Sequence, residues 1–335
     1  MPVTDFDRHL IYAGILFFNV VGLFGNVNVI YAHYRLTKLR TKYGNLLAML
    51  VTAQTICLLS EMVGLAYDVS GVPIIRKTCF YILTPYMFAF CLQVALMAAI
   101  STDMFISIAA PFQHRMLRMR SYLALLVAPG VIYGVAVLIT GMIYSNEREL
   151  RLCNPPSSLP FKVMKIWHLV GLVFTVETVF SYLAAYAILY RKYINKDITK
   201  LHSEHKNVER KALKSLSIII IVFIIERVFF IIFINYLDFA GHSRDTLEKA
   251  QAYMALSALM VYSSTYYVCF AQSSEYRRIF WSQIVRIFRV FGVKLQEDLF
   301  GHSTTDDLRR HTHSKFQPNA TYGTLSGGRS SSSKF

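Results

Sequence analysis

Charged residues are scarce in this chain of 335 residues: Asp, Glu, Lys and Arg together make up only 16% of it. Ordinary soluble proteins carry about 25% charged and about 45–50% apolar residues. Here the apolar fraction is 54% and the mean hydropathy is +0.40. Because so little charge cannot cover so much apolar surface in water, the composition excludes an ordinary soluble domain. It predicts a protein that crosses a membrane several times.

Cysteine is also rare, with five residues, and tryptophan is rarer still, with two. No Cys-x-x-Cys pair and no zinc-type His/Cys spacing occurs, so we expect neither a disulfide scaffold nor a metal. We find no nucleophile–base pair and no phosphate-binding loop, and therefore predict neither an enzyme nor a cofactor. His9, His33 and His168 lie singly near the ends of apolar stretches, and we interpret them as interfacial residues.

Seven stretches of the chain are long and apolar enough to cross a bilayer, which takes about 20 mainly apolar residues in a helix. We therefore predict an all-α membrane protein built as a seven-helix bundle. The predicted spans cover residues 9–34, 44–68, 80–108, 121–144, 163–190, 212–237 and 250–272.

The positions of Lys and Arg predict the orientation of these spans. The loops after spans one, three and five and the C-terminal segment hold 25 of the 35 basic residues, and the opposite side holds 9. Basic loops stay in the cytoplasm, so the N-terminus is predicted to lie outside. The net charge of +15 is then explained by topology and attraction to anionic lipid, not by nucleic-acid binding.

The segment after the seventh span places apolar residues at helical spacing among several arginines, over residues 274–293. This pattern predicts an amphipathic eighth helix on the inner membrane surface. Residues 295–335 are polar and serine-rich, a composition typical of disorder. We therefore divide the chain into a membrane domain, 1–294, and a disordered cytoplasmic tail, 295–335.

Short motifs add specificity to this architecture. In chain order they are Gly25-Asn26, Leu39–Lys42, Cys57–Glu61, Cys79, Asp103, Pro111–Arg115, Cys153–Pro156, Ile166-Trp167, Lys214–Ser217 and Ser274–Arg277. Each motif alone is weak, but the ordered series closely resembles the nematode serpentine receptor class SX. This is a chemoreceptor family related to the rhodopsin-like G-protein-coupled receptors, and the resemblance runs from residue 20 to residue 280.

The resemblance implies a rhodopsin-like receptor that binds an extracellular small molecule or peptide and signals to a heterotrimeric G protein. It also implies the plasma membrane, in the cilia of sensory neurons. In the family, the cysteines that match Cys79 and Cys153 are bonded; both lie on the predicted outer side, where disulfides persist. Two free thiols are the alternative. The Ser/Thr-rich tail suits phosphorylation and an arrestin-like partner, and a plain solvated tail is the alternative.

Several residues depart from the family at positions that switch such receptors. Asp103 matches the acid of the Asp-Arg-Tyr triplet, but Met104 replaces the arginine. Either Asp103 keeps a switching role, or it only hydrogen-bonds the second inner loop, which carries Pro111 and Arg115. Gln54 stands where the family has an aspartate that helps to bind sodium. The sequence therefore does not decide whether the protein couples to a G protein in the conventional way. The residues that we predict to take part in coupling are Asp103, Met104, Pro111 and Arg115.

Charged residues within spans cost at least about 2.5 kcal/mol near a helix centre, so they usually face a cavity or a partner. We hypothesise that Arg227 points into the bundle and pairs with Glu177 or Glu61, as a latch below the ligand cavity. The alternative is that each charge snorkels or meets water separately. The full set of candidates for an intramembrane polar switch is Asn26, Gln54, Glu61, Glu177, Glu226 and Arg227.

The ligand cavity is predicted from aromatic residues near the outer ends of the spans. Tyr86 and Phe90 lie one turn apart below Cys79, where receptors of this architecture line their cavity. Phe230 lies almost one turn above Arg227 in span six. We predict that Tyr86, Phe90, Arg227 and Phe230 line a site for a small, partly apolar ligand. Packing within the bundle is the alternative.

Three functions remain in competition. The first is a chemosensory G-protein-coupled receptor. The second is a signalling-silent receptor that binds a ligand or a partner receptor but does not couple. The third is a carrier that uses the charges within the spans, although we find no inverted repeat and no paired broken helices of the kind that carriers have.

Overall fold

The computed structural model describes residues 4–150, 153–194, 203–241, 244–272 and 274–290. This part of the chain is mainly helical, with one short β-ribbon and a 3₁₀ turn at Thr37–Leu39. Its elements are α1 (Asp5–Arg35), α2 (Lys42–Ser70), β1 (Ile74–Ile75), α3 (Arg76–Ile82), α4 (Thr84–Ala109), α5 (Pro111–Met116), α6 (Met119–Tyr144), β2 (Glu149–Leu150), α7 (Pro155–Ser158), α8 (Phe161–Ile194), α9 (Ser203–Phe239), α10 (Arg244–Gln272) and α11 (Ser274–Val290).

The seven predicted spans are confirmed, because α1, α2, α4, α6, α8, α9 and α10 are each long and apolar enough to cross a membrane. The helices extend a few residues beyond most of the predicted bounds, and two differences are larger. The third span is interrupted at Leu83, since Pro85 lacks the N–H that a continuous helix would use and instead lies in the first turn of α4. The sixth begins at Ser203, so the backbone of residues 203–211 is helix where we expected loop.

The predicted eighth helix is present as α11. Its sequence contains apolar residues at helical spacing and arginines between them, such as Arg277 and Arg278. Phe280 is completely buried against the ring of Tyr266, with the ring centres 4.5 Å apart. This helix is therefore anchored to α10 by at least one aromatic contact. The predicted tail, 295–335, lies outside the described residues, and the domain division at residue 294 stays a prediction.

The third span, α4, is the most deeply buried of the seven and packs against α2, α6 and α8. Glycines let α6 approach it closely: a β-carbon at Gly130 would lie 2.8 Å from that of Ala95, and one at Gly134 would lie 2.7 Å from the ring of Phe88. Small residues of this kind drive helix packing in membranes, where apolar burial alone does not. The α4 helix is thus fixed in the centre of the bundle.

Polar side chains join α10 to α1 and α2. The Thr265 hydroxyl donates a hydrogen bond of 3.0 Å to the amide oxygen of Gln54, and both residues are buried. The amide of Asn26 donates to the backbone carbonyl of Tyr262 over 3.3 Å. Two of the polar residues predicted as switch candidates, Asn26 and Gln54, therefore hold three helices together. The amide oxygen of Gln54, the residue that we predicted to replace a sodium-binding aspartate, accepts the hydrogen bond from Thr265.

We predict that Thr265→Val destabilises the protein, because the isosteric side chain leaves the buried oxygen of Gln54 without its donor. Hydrogen bonds between membrane helices are worth about 0.5–2 kcal/mol. The free energy of unfolding in detergent should fall by about that amount. Thr52→Val is the matched control, since the exposed Thr52 hydroxyl bonds only to Ala48 in its own helix. Equal stabilities for the two variants would contradict the assignment.

Candidate functional site

A small cavity lies within the bundle, between α4, α8, α9 and α10 and beneath the short helix α7. We call it the aromatic cavity, and its volume is about 30 Å³. Its lining consists of Tyr86, Phe90, Pro155, Pro156, Trp167, His168, Glu226, Arg227, Phe230, Gln251, Met254, Ala255 and Ala258. All four residues predicted for the ligand cavity are among them, although their role in binding stays a prediction.

One wall of the aromatic cavity comes from α4. Tyr86 and Phe90 are four residues apart, so their rings lie on one face of the helix and stack with centres 6.0 Å apart. The Tyr86 hydroxyl lies 2.9 Å from that of Tyr262 in α10. On the other side, the Phe90 ring lies 4.8 Å from the ring of Trp167 in α8. The two aromatics thus join three spans as well as lining the cavity.

Arg227 enters the cavity from α9 and is only 3% exposed. Its guanidinium carbon lies 4.8 Å from the centre of the Phe90 ring, a distance suited to a cation–π interaction. Gly171 in α8 makes this position accessible, because a β-carbon there would lie 2.5 Å from the Nη2 atom of Arg227. Nε and Nη2 are both buried and have no hydrogen-bond partner.

The predicted latch is wrong in this structure. Glu177 accepts hydrogen bonds from Thr102 (2.6 Å) and from Ser181 (2.7 Å), both at Oε1, and its Oε2 is buried without a hydrogen-bond partner. Within the described ranges, no ion pair of 4.0 Å or less joins Arg227 to Glu177 or to Glu61. Sequence alone could not foresee this, because Thr102 and Ser181 meet Glu177 only in the folded bundle, and Thr102 lies 75 residues away from it in the chain.

The remaining acidic switch candidates have different environments. Glu61 is buried in α2, and in the part of the chain that the structure describes its carboxylate has no hydrogen bond and no ion pair. Glu226 is partly buried and lines the aromatic cavity beside Arg227. The structure thus separates the intramembrane charges into a Glu177 cluster, an isolated Glu61 and the Glu226–Arg227 pair of neighbours at the cavity.

The interpretation of His168 as an interfacial residue is corrected. Its ring lies between those of Trp167 and Phe230, at 4.8 and 5.1 Å between centres, and it lines the aromatic cavity. Both ring nitrogens are buried without a hydrogen-bond partner. A histidine near a span end does face the interface in many helices, but here the rings of Trp167 and Phe230 flank it. Its position next to the Ile166-Trp167 motif was the signal that could have found it.

The cover of the cavity is fixed by covalent and backbone bonds. Cys79 and Cys153 form the predicted disulfide, which is confirmed. Strands β1 and β2 pair antiparallel, with Ile74 opposite Leu150, and two-residue strands such as these left no alternation in the sequence to predict them. The carboxylate of Asp68 also accepts the backbone N–H of Cys153 at 3.1 Å. These bonds hold the chain that leads into α7 above the cavity.

At the opposite end of the bundle, Asp103 hydrogen-bonds His114 over 2.8 Å. This bond ties α4 to α5, the helix of the predicted second inner loop, which begins at Pro111. Asp103 thus makes the loop contact that we gave as one alternative, while a switching role is untested. Met104 is partly buried against other apolar side chains, and Arg115 is exposed.

The contact between Asp103 and His114 lies within a small cluster. The ring of Tyr122 meets that of His114 edge-on, with centres 5.6 Å apart. The ammonium group of Lys42 lies 4.8 Å from the centre of the Tyr122 ring and donates to the backbone carbonyl of His114. The first and second loops of this end are therefore held together around one buried carboxylate.

We predict that Asp103→Leu loosens α5, because it removes the buried acceptor of the His114 ring. Trypsin should then cleave after the exposed Arg115 several times faster in the solubilised protein, since proteolysis follows local opening. Glu177→Leu is the control, as Glu177 is another acidic residue within a span and does not contact α5. Unchanged cleavage after Arg115 in Asp103→Leu, measured by mass spectrometry of the fragments, would contradict the anchoring role.

Comparison with known families agrees with this architecture. The family described as "Serpentine type 7TM GPCR chemoreceptor Srsx" matches residues 19–284, from within α1 to within α11. No curated protein matches the chain significantly. The family match covers most of the chain and all the residues of the aromatic cavity. The chain therefore belongs to the Srsx family of serpentine seven-transmembrane chemoreceptors.

Proposed function

We propose that this chemoreceptor lies in the plasma membrane, in sensory cilia, with its disulfide end outside, and binds a small extracellular ligand in the aromatic cavity. The observation that carries the proposal is the convergence of Tyr86, Phe90, Arg227 and Phe230 on one cavity beneath a disulfide-bonded cover. Ligand sites of proteins are typically concave, mostly apolar and equipped with a few polar groups. This cavity has that composition.

The cavity is too small, at about 30 Å³, to hold more than about one water molecule. A ligand of several heavy atoms therefore requires the cavity walls to separate. A ligand shifts a conformational equilibrium only as far as it binds one state better than the other. Here the ligand binds only the state with the widened cavity. Its binding energy therefore favours that state over the contracted one.

Helix α9 is suited to carry this change to the other end of the bundle. It supplies Glu226, Arg227 and Phe230 to the cavity, and near its other end Ser217 shares a hydrogen bond of 2.6 Å with Tyr182 in α8. Outward movement of α9 breaks that bond and opens a cytoplasmic cleft. A G-protein α subunit binds there, against a rim formed by the first loop, from Arg35 to Lys42, and the basic third loop.

Two features bear on the strength of coupling. Met104 is an uncharged residue where the family has arginine, and Asp103 is engaged by His114. These observations favour a signalling-silent receptor as the second candidate. Phosphorylation of the tail, between Ser303 and Ser333, and binding of an arrestin are further proposals, and the tail lies outside the described residues.

We predict that Ala258→Phe abolishes the response to any activating compound, because the added ring fills the aromatic cavity. The receptor is expressed with a promiscuous Gα subunit, and intracellular calcium is recorded against a panel of small odorants, organic acids and short peptides. Ala128→Phe is the control of equal size, since Ala128 faces outward from α6. A compound that activates the wild type and Ala258→Phe equally would refute this binding site.

The same assay separates the two receptor functions. A response of the wild type supports coupling through this bundle. A response that appears only when Met104→Arg is introduced supports the signalling-silent receptor. Uptake of a compound into cells without any messenger change would instead support the carrier and contradict both.

We predict that a membrane-impermeant maleimide labels Cys79→Ser on intact cells without reductant. The substitution frees the thiol of Cys153, which is 3% exposed in the bonded protein, and it releases the chain before α7 that the disulfide holds. The wild type should label only after reduction, and the double variant Cys79→Ser/Cys153→Ser should stay unlabelled. The remaining cysteines lie within the membrane spans α2, α4 and α10, where the impermeant reagent does not reach them, and give no background: Cys57, Cys91 and Cys269. Labelling of Cys79→Ser only after permeabilisation would show the opposite orientation.

A further inference from the structure

Arg227 carries a permanent positive charge in a place where such a charge is expensive. It is 3% exposed in a membrane span, and its Nε and Nη2 atoms lack hydrogen-bond partners. Among the described side chains, no carboxylate lies within 4.0 Å of it, not even that of the adjacent Glu226. A charge inside a span normally has a partner in the protein or faces a cavity. Arg227 has the cavity only.

The two unpartnered groups of Arg227 lie on the same edge of the guanidinium plane. Two parallel N–H bonds from such an edge match the two oxygens of a carboxylate, which gives a bidentate ion pair. Phe90 covers one face of the guanidinium, and Gly171 leaves the room it needs. The guanidinium is therefore held in one place, and the Nε and Nη2 groups on one edge of it donate no hydrogen bond to the protein.

The rest of the aromatic cavity sets limits on such an anion. Phe230, Met254 and Ala258 are apolar and suit an uncharged body. Glu226 lines the same cavity and would repel a second negative charge. His168 offers an additional buried ring nitrogen. The narrow space between aromatic rings favours a planar carboxylate over a tetrahedral phosphate or sulfonate.

We propose that the ligand of this receptor is a small organic monocarboxylate, whose carboxylate binds the Nε and Nη2 groups of Arg227 and whose body packs among the aromatic rings. This inference rests on the proposed function, since it names the ligand class of the same site. The carboxylate of the ligand supplies a counter-charge to Arg227, which has no ion pair among the described residues. Because Arg227 lies on α9, the same ion pair joins ligand binding to the position of that helix.

The chain offers its own reporter for the test. Its two tryptophans are Trp167, in the aromatic cavity, and Trp281. In Trp281→Phe, all tryptophan fluorescence comes from the cavity. The full-length protein in nanodiscs is titrated with benzoate and phenylacetate, and separately with benzamide and phenylacetamide. We expect saturable quenching by the acids, with dissociation constants at least about thirtyfold lower than those of the amides.

Substitutions of Arg227 identify the group responsible. Arg227→Met should remove the preference for acids over amides, whereas Arg227→Lys, which keeps the charge but not the fork, should keep a reduced preference. Arg118→Met is the control at an exposed arginine and should bind like the parent. Without ligand, Arg227→Met should unfold at a temperature no lower than the parent's, because it removes an unpaired buried charge. A purely structural arginine would give a lower one.

Three results would overturn the inference: no saturable quenching by either acid up to about 10 mM, equal affinity for acid and amide, or an acid preference that survives Arg227→Met. The proposed function fails separately. If neutral compounds activate the receptor and Ala258→Phe abolishes that response, the receptor assignment stands while the carboxylate inference is lost. If acids bind in the titration but no compound produces a calcium signal, including with Met104→Arg, the carboxylate inference stands without signalling.

Discussion

Hydrocarbon offers no hydrogen bonds, so a polar side chain inside a membrane bundle must find its partners in the protein or face a cavity. Several buried polar side chains of the described bundle meet this constraint through pairs that join two helices: Gln54 with Thr265, Tyr86 with Tyr262, Thr102 with Glu177, and Asp103 with His114. These pairs explain how seven helices without a hydrophobic driving force between them keep one arrangement. Arg227 differs from these pairs, because it is a permanent cation whose Nε and Nη2 donors are buried without a hydrogen-bond partner.

This exception gives the aromatic cavity its chemistry. A cavity of about 30 Å³ is too small for an organic anion, so the anion binds only when the cavity widens. In that widened state it also removes the cost of the unpaired cation. Binding energy is therefore gained in the widened state alone, which is the condition for a ligand to shift an equilibrium. Moving a population from 1:99 to 99:1 takes about 5.5 kcal/mol of differential affinity, and a buried ion pair is of the right size to supply much of it.

Much of the fold could be predicted because its causes are local. Apolar length gave the seven spans, the ordered motifs gave the disulfide between Cys79 and Cys153, and helical spacing brought Tyr86 and Phe90 to one wall of the cavity. What failed depended on neighbours distant in sequence. Thr102 and Ser181 both hydrogen-bond Oε1 of Glu177, and in the described part of the chain no ion pair of 4.0 Å or less joins Glu177 to Arg227. The ring of His168 is enclosed by Phe230 from another helix, and paired strands of two residues are too short to leave a pattern.

The unpaired guanidinium is tested most directly by an experimental structure of the receptor with benzoate in nanodiscs. We expect the carboxylate oxygens at about 2.7–2.9 Å from Nε and Nη2 of Arg227, with the benzoate ring against Phe90 or Phe230. In the protein without benzoate, those two atoms should still lack a protein carboxylate. An ion pair between Arg227 and Glu226, Glu177 or Glu61, or benzoate bound elsewhere in the bundle, would contradict the account.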